Sequence, residues 1–116
     1  MKLAIVGSRN FTDYNLVNNT IKNLLCPLNY ITCIVSGEAK GADFLAKRFA
    51  ENQGISYIEY LAAWYKYGKS AGFLRNQTII DNCDMVLAFW DGKSRGTADT
   101  IKRAKKAKKP TFIVYY

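Results

Sequence analysis

Residues 85–97 read MVLAFWDGKSRGT, and this stretch decides the fold. An apolar run comes first, a loop of small and charged residues follows it, and a helical pattern begins near Thr97. A strand, a short loop and a helix start in this order direct backbone N–H groups and the positive end of a helix dipole toward an anion. Lys93 and Arg95 add positive charge to the same loop. We therefore interpret the stretch as half of a phosphate- or nucleotide-binding site.

The rest of the chain repeats this alternation of strand and helix patterns. Short apolar or β-branched runs predict five strands, over residues 2–6, 30–35, 55–60, 84–90 and 111–115. Apolar residues at helical spacing predict four helices, over residues 14–26, from about Asp43 to Gly54, 70–82 and 97–108. The aromatic segment 61–69 is predicted to be a loop.

Strands that alternate with helices favour one fold class. We expect a Rossmann-like three-layer α/β/α sandwich with a parallel sheet of about five strands in the order 3-2-1-4-5. The length of 116 residues and the apolar fraction of 49% favour one domain over residues 1–116. Ligands of such sheets bind beyond the carboxyl ends of the strands where the strand order reverses, which here is between the first and fourth strands.

The amino-acid composition bears on where in the cell the protein is expected and on which kinds of site it can form. No apolar run approaches the length of a membrane span, and the first strand is too short to be a signal peptide, so we expect a cytoplasmic protein without a membrane partner. The sequence has no histidine, and its three cysteines lack CxxC spacing. We therefore predict neither a metal site nor a bound cofactor.

The net charge of +8 is concentrated at one place. Six of the 17 basic residues lie between Lys102 and Lys109, in the last turns of the final predicted helix. Cations suit the C-terminal end of a helix dipole, and a solvated helix end explains the cluster. A surface for nucleic acid or for an acidic partner is the alternative explanation, and both interpretations stay open.

Four loops should line the ligand-binding edge of the sheet. In the first, Gly7 permits close backbone approach, the Ser8 hydroxyl can bond an anion, and Arg9 can bind phosphate through its fork of N–H groups. In the second, SGEAKGAD at residues 36–43, small residues precede a helix. Asp43 there either caps the helix or accepts a hydrogen bond from a ribose hydroxyl.

The third and fourth loops add aromatic side chains. Trp64 either stacks on a base or packs beneath its own loop, while Arg75 and Asn76 can reach inward from the start of a helix. In the fourth loop Trp90 is a second candidate to cover a base, and Asp91 a second candidate for a ribose. Neither GKS triplet has the preceding glycine of a Walker A motif, and no GxGxxG follows the first strand.

Together these loops resemble a known family. GSRxFxDY at residues 7–14, SGxAxGAD at 36–43, WxxxGKxAGxxRN at 64–76 and FWDGxSxGT at 89–97 resemble the YspA/YpsA-related branch of the SLOG superfamily, which is named after SMF/DprA and LOG proteins. The resemblance implies a Rossmann-like fold and a site for a nucleotide or a nucleotide-derived signal, such as an ADP-ribose derivative in a phage or defence setting. It implies these binding residues: Gly7, Ser8, Arg9, Ser36, Gly37, Gly41, Asp43, Arg75, Asn76, Asp91, Gly92, Ser94, Gly96 and Thr97. The residue chemistry adds Trp64, Trp90 and Arg95.

The resemblance also raises an enzymatic alternative. LOG phosphoribohydrolases cleave the N-glycosidic bond of a nucleoside monophosphate and carry a catalytic glutamate in PGGxGTxxE. When Gly96 and Thr97 are aligned on its GT pair, Thr100 occupies the glutamate position, and Asp99 points about 100° away around the helix. Asp43, Asp91 and Glu38 remain as candidate catalytic carboxylates, but their spacing pairs none of them.

We therefore expect binding, for sensing or sequestration, rather than hydrolysis. Nucleic-acid binding, suggested by the charge and by the DprA relationship, is a second alternative. The aromatic and apolar excess, together with the habit of the family, predicts a homo-oligomer.

Overall fold

The computed structural model describes residues 1–25, 30–37 and 41–116 and has a five-stranded sheet. The strands are β1 (Lys2–Gly7), β2 (Cys33–Gly37), β3 (Ser56–Tyr60), β4 (Met85–Trp90) and β5 (Thr111–Tyr115). The helices are α1 (Tyr14–Leu24), α2 (Ala42–Gln53), α3 (Trp64–Tyr67), α4 (Ala71–Asp81) and α5 (Arg95–Lys106). A 3-10 turn over Gly68–Ser70 joins α3 to α4.

The strands are all parallel and lie in the order β3-β2-β1-β4-β5, which confirms the predicted sheet. Side chains alternate along β1. Leu3 and Ile5 pack in the core cluster that includes α1 and α2, whereas Ala4 and Val6 pack in the cluster that includes α4 and α5. Helices therefore cover both faces of the sheet, as the three-layer Rossmann-like prediction requires. Among the described residues, no helix is both long and apolar enough to cross a membrane.

Several predicted boundaries differ from the structure, among them the ends of the first and last helices, which lie at Leu24 and Lys106 rather than at residues 26 and 108. β2 begins at Cys33 rather than at residue 30 and continues to Gly37, because its last residues pair with β3. The aromatic segment contains the one-turn helix α3, so it is not a simple loop. α5 begins at Arg95 because Ser94 is its N-cap: the Ser94 hydroxyl accepts a hydrogen bond from the backbone N–H of Thr97.

The C-terminal end of α5 closes with a left-handed residue. The backbone N–H of Lys108 donates to Lys105 O and that of Lys109 donates to Ala104 O, both at 3.0 Å. This pair of bonds is a Schellman motif, which requires a left-handed residue at the position of Lys108. Lys108 adopts φ 58° there and is the one non-glycine residue with positive φ in the described part of the chain.

Candidate functional site

A cavity of about 470 Å³ opens at the carboxyl ends of β1 and β4, where the strand order reverses. Its walls come from the end of β1 and the turn after it, from the first turns of α2, α4 and α5, and from the segment before α4. The lining residues are Val6, Gly7, Ser8, Arg9, Asn10, Asp43, Trp64, Lys69, Gly72, Phe73, Arg75, Asn76, Ile79, Asp91, Ser94, Gly96, Thr97 and Thr100.

The N-terminal turn of α5 forms one wall of this cavity. Its first intrahelical bond runs from the backbone N–H of Ala98 to Ser94 O, so the N–H groups of Arg95 and Gly96 precede the helical ladder. A Cβ added at Gly96 would meet nothing within 4 Å, so the backbone faces open space. This turn therefore presents N–H groups and the positive end of a helix dipole to a ligand.

Asp91 holds the loop before α5 in place. Its Oδ1 accepts hydrogen bonds from the backbone N–H groups of Lys93 at 2.9 Å and Ser94 at 2.8 Å. These bonds, the Ser94 bond first, lower the pKa of Asp91, and the nearby Ser8 hydroxyl contributes. Asp91 thus lines the cavity as a charged carboxylate, but one of its oxygens already shapes the loop.

Arg75 reaches the cavity because Gly37 has no side chain. A Cβ added at Gly37 would lie 2.5 Å from Nη1 of Arg75 and 2.9 Å from its Cζ, so the guanidinium occupies the space above the end of β2. Nε of Arg75 donates to Asn76 Oδ1 at 3.3 Å. Nη1 is buried, and no described residue accepts a hydrogen bond from it.

Ser8 supplies a second buried polar atom at the cavity wall. The residue is 3% exposed, its backbone N–H donates to Phe89 O at 3.1 Å, and its Oγ satisfies hydrogen-bond geometry with no described residue. Ser8 and Arg75 therefore both bring a buried donor without a hydrogen bond of good geometry to the same cavity, although the Asp91 carboxylate lies near the Ser8 hydroxyl. Such groups are costly unless a ligand or water satisfies them.

Asp43 is the buried carboxylate of the cavity. It lies in the first turn of α2, but Gly41 is the N-cap residue, so Asp43 is not the capping residue. The Ser36 hydroxyl lies between Asp43 Oδ1 at 2.6 Å and Ile5 O at 2.7 Å, which fixes the carboxylate relative to the sheet. Burial, and then the nearby carboxylates of Glu59 and Asp43, raise the pKa of Tyr57, which stays a neutral phenol beside this cluster.

Gly41 joins the first two loops to each other rather than opening space for a ligand. It adopts φ 76° and ψ −122°, and an added Cβ would lie 2.5 Å from Arg9 O. Gly7 is similarly crowded, with an added Cβ 2.5 Å from Phe89 O. Both glycines therefore allow backbone segments of the protein to touch, which builds the floor of the cavity.

The two tryptophans have different surroundings. Trp64 is half exposed and lines the cavity, and its ring lies 3.2 Å from the position of a Cβ added at Gly72. Trp90 donates from Nε1 to Ser94 O at 3.0 Å, and its ring centroid lies 5.7 Å from that of Tyr115. Trp64 can therefore cover a ligand in the cavity, whereas Trp90 supports the fourth loop from outside it.

Asn76 cross-links two helices at the back of the site. Its amide donates to Gly96 O at 3.3 Å and to Asp99 Oδ2 at 3.1 Å. Asp99 in turn forms an ion pair of 2.7 Å with Arg103. Thr100, and not Asp99, lines the cavity, and its hydroxyl donates to Gly96 O at 3.1 Å. Asn76 thus fixes the start of α5 relative to α4.

The structure brings most of the predicted binding residues to one cavity. Those that line it are Gly7, Ser8, Arg9, Asp43, Trp64, Arg75, Asn76, Asp91, Ser94, Gly96 and Thr97. Those outside its lining are Ser36, Gly37, Gly41, Trp90, Gly92 and Arg95. Ser36, Gly37 and Gly41 act one step away, through Asp43, Arg75 and the Arg9 backbone. Glu38 lies outside the described residues.

Sequence reasoning missed several lining residues. Lys69, Gly72 and Phe73 lie within the third motif, close to Arg75 in sequence, and this closeness could have identified them as lining residues. The other missed residues are Val6, Asn10, Ile79 and Thr100. Ile79 lies one helical turn beyond Arg75 and Asn76, so helical periodicity could have identified it.

Comparisons with known proteins agree with this architecture. A family model described as "YspA, cpYpsA-related SLOG family" matches residues 1–67, which contain β1 through α3. The chain is also 35% identical over 117 residues to the Gene 61 protein of Mycobacterium phage D29, a match that covers 96% of this chain and 94% of the phage protein. No solved structure shows significant similarity to this chain.

Proposed function

This chain belongs to the YspA, cpYpsA-related SLOG family, and on that premise we propose that its cavity binds a nucleotide-derived small molecule. The volume of about 470 Å³ lies within the range of small-molecule sites. Three cationic side chains (Arg9, Lys69 and Arg75) and two carboxylates (Asp43 and Asp91) line it. A ligand with a phosphate, a hydroxylated sugar and a planar ring complements this mixture.

The observation that carries the proposal is the buried Nη1 of Arg75, which donates to no described residue; the Ser8 hydroxyl, which lies near Asp91 but makes no hydrogen bond of good geometry, supports it. Both are buried at the wall of the same cavity, which α5 enters with its N-terminus. A phosphate oxygen accepts hydrogen bonds from hydroxyl, guanidinium and backbone N–H groups alike. One bound phosphate would therefore accept hydrogen bonds from groups for which the described residues provide no well-placed acceptor.

The remaining walls suit the other parts of a nucleotide. Asp43 is held by Ser36 and can accept a hydrogen bond from a ribose hydroxyl. The half-exposed ring of Trp64 lies at the cavity wall, where a base can stack on it. Arg9 is exposed at the cavity wall and adds a cation for a second phosphate.

Binding without cleavage is the better-supported activity. Thr100, at the position of the LOG glutamate, presents a hydroxyl committed to Gly96 O, and Asp99 is held by Arg103 and Asn76. Cleavage through an oxocarbenium-like state calls for carboxylates placed to protonate the leaving group and activate water. Of the candidates, Asp91 already uses an oxygen to hold its loop. We therefore propose a protein that senses or sequesters its ligand.

Mass spectrometry of small molecules released by heating the purified protein tests this proposal. A thermal-shift panel of mononucleotides, cyclic dinucleotides and ADP-ribose derivatives then ranks the ligands and is read alongside chromatography for released base. For the best ligand, we expect Arg75→Gln to weaken affinity by about tenfold to hundredfold, because a charged hydrogen bond contributes about 1.5–3 kcal/mol. Gly37→Ala should also weaken binding, because its Cβ displaces the guanidinium.

Arg95→Gln is the matched control. It removes the same charge from the first turn of α5, but Arg95 is exposed and does not line the cavity. Its affinity should stay within about twofold of the native value. The proposal is wrong if no nucleotide-derived compound binds, or if the Arg75 and Arg95 variants lose affinity equally. Free base that depends on Asp43 and Asp91 would instead establish the hydrolase.

A further inference from the structure

The C-terminal end of α5 carries a dense group of exposed cations. We call Lys102, Lys105, Lys106 and Lys108 the lysine surface; all four are exposed. The two other basic residues of the run are held within the fold: Arg103 pairs with Asp99, and Lys109 Nζ donates to Cys83 O. These two contacts hold the C-terminal end of α5 in place, and this end carries the lysine surface.

The described residues provide no carboxylate that neutralises the lysine surface. Two acidic residues, Asp81 and Asp84, lie near this end of the molecule: burial raises the pKa of the Cys83 thiol there, Lys109 lowers it, and the two aspartates raise it. Asp81 accepts a hydrogen bond from the Gln77 side chain at 2.9 Å, and Asp84 accepts one from the backbone N–H of Lys2 at 2.7 Å. None of the four lysines forms an ion pair within the part of the chain that is described.

This arrangement costs the free protein stability. On α5, Lys102 and Lys106 are four residues apart and Lys102 and Lys105 are three apart; like charges at such spacing destabilise a helix by about 0.2–0.5 kcal/mol per pair. The helix dipole offers only about half a negative charge at this end. Lys108 adds the cost of a left-handed backbone. The dipole therefore accounts for a small part of the positive charge that is present.

We propose that the lysine surface binds the phosphate backbone of nucleic acid. Lys102 to Lys106 span about 6 Å of helix, which is the rise of about two phosphates along one strand of a duplex, and Lys108 follows just beyond the helix end. A membrane surface fits less well, because binding there requires an exposed apolar helix face. The apolar face of α5, with Ile101 and Ala104, is buried against the sheet.

This surface is separate from the nucleotide cavity. The cavity contacts the first turns of α5 at Gly96, Thr97 and Thr100, whereas Lys106, the last residue of α5, lies about 15 Å from Gly96 at the rise of an α-helix. Lys109 contacts Cys83, which lies just before β4, at the amino ends of the strands and thus at the end of the sheet opposite to the cavity. Loss of one activity therefore leaves the other measurable.

Fluorescence anisotropy with a labelled 20-base-pair duplex of arbitrary sequence, titrated over a range of salt concentrations, tests the proposal. One phosphate contact for each of the four lysines predicts that the logarithm of the binding constant falls with the logarithm of salt at a slope of about −3.6. The triple variant K102Q/K105Q/K106Q should reduce this slope by about 3. The control K22Q/K47Q/K66Q removes the same charge from exposed lysines elsewhere and should keep a slope near the native one.

A stability measurement separates binding from a structural role. Removing like-charge repulsion should leave the melting temperature of K102Q/K105Q/K106Q equal to or above the native value. Three results would each overturn the proposal: no salt-dependent binding to the duplex, equal losses in the two triple variants, or a lowered melting temperature in K102Q/K105Q/K106Q. Binding to anionic phosphatidylserine vesicles without binding to the duplex would also overturn it.

Discussion

Replacing Lys108 with glycine should stabilise the protein. Lys108 has φ 58° and occupies the left-handed position of the Schellman motif that ends α5. A left-handed L-residue costs about 1–2 kcal/mol, and glycine avoids that cost. Glycine loses more backbone entropy on folding than lysine does, and this offsets about 0.5–1 kcal/mol of the gain. The net gain from Lys108→Gly is therefore about 0.5–1 kcal/mol.

The gain is large enough to measure by thermal unfolding. An unfolding entropy of about 2.1 cal/mol/K per residue over 116 residues gives about 0.24 kcal/mol per degree. Lys108→Gly should therefore raise the melting temperature by about 2–4 °C. Differential scanning calorimetry, with urea unfolding as a second measurement, determines both the shift and its free energy.

Lys108→Ala is the matched control for charge. It removes the same ammonium group as the glycine variant but keeps a Cβ in the left-handed conformation. It should recover only the few tenths of a kcal/mol that come from reduced repulsion. Equal stabilisation by alanine and glycine would show that charge, and not backbone strain, limits this helix end. No stabilisation by glycine would refute the strain argument itself.

Two further predictions concern the loops of the site. Gly41→Ala should cost about 3 kcal/mol or more in urea unfolding, because it adds a clash with the Arg9 backbone to the strain of positive φ. Gly68→Ala, at φ 58° and ψ −132° but in open space, should cost about 1–2 kcal/mol; equal costs would dismiss the clash. The lowered pKa of Asp91 adds stability that is present above the unfolded carboxyl pKa of about 3.9 and is lost as pH falls through the lower folded value. Asp91→Asn keeps an acceptor oxygen but does not titrate, so the unfolding free energy of this variant should fall less between pH 5 and pH 2 than that of the native protein. Urea unfolding measured at steps of about half a pH unit tests this expectation. An acid profile identical to the native one would contradict it.

Much of the fold could be predicted because its signals are local. The apolar run at β4 and the small-residue loop after it predicted a strand, a turn and a helix, and the structure contains them. The order of the strands was predicted from the Rossmann-like pattern of alternating strands and helices, and the structure confirms it. The start of β2 was predicted too early because residues 30–32 have strand-like side chains, whereas the paired residues begin at Cys33.

The site was less predictable because its contacts join residues distant in sequence. The need for Gly37 arises from the guanidinium of Arg75, 38 positions later, and no local pattern reveals that pairing. Asn76 belongs to a motif that suggested ligand contact, but its amide also holds Gly96 and Asp99 of another helix. Local sequence could therefore identify residues near the cavity without distinguishing ligand contacts from supports.

The close contact between Gly41 and the Ser8–Arg9 backbone limits how this protein can be re-engineered and how its sequence can diverge. A chimera that takes the turn after β1 from a relative, but keeps its own residues around position 41, would bring together two backbone segments that do not fit each other. The two segments therefore have to be exchanged together. Selectivity in such a protein should change in paired steps, with substitutions around residues 8–9 accompanied by substitutions around residue 41.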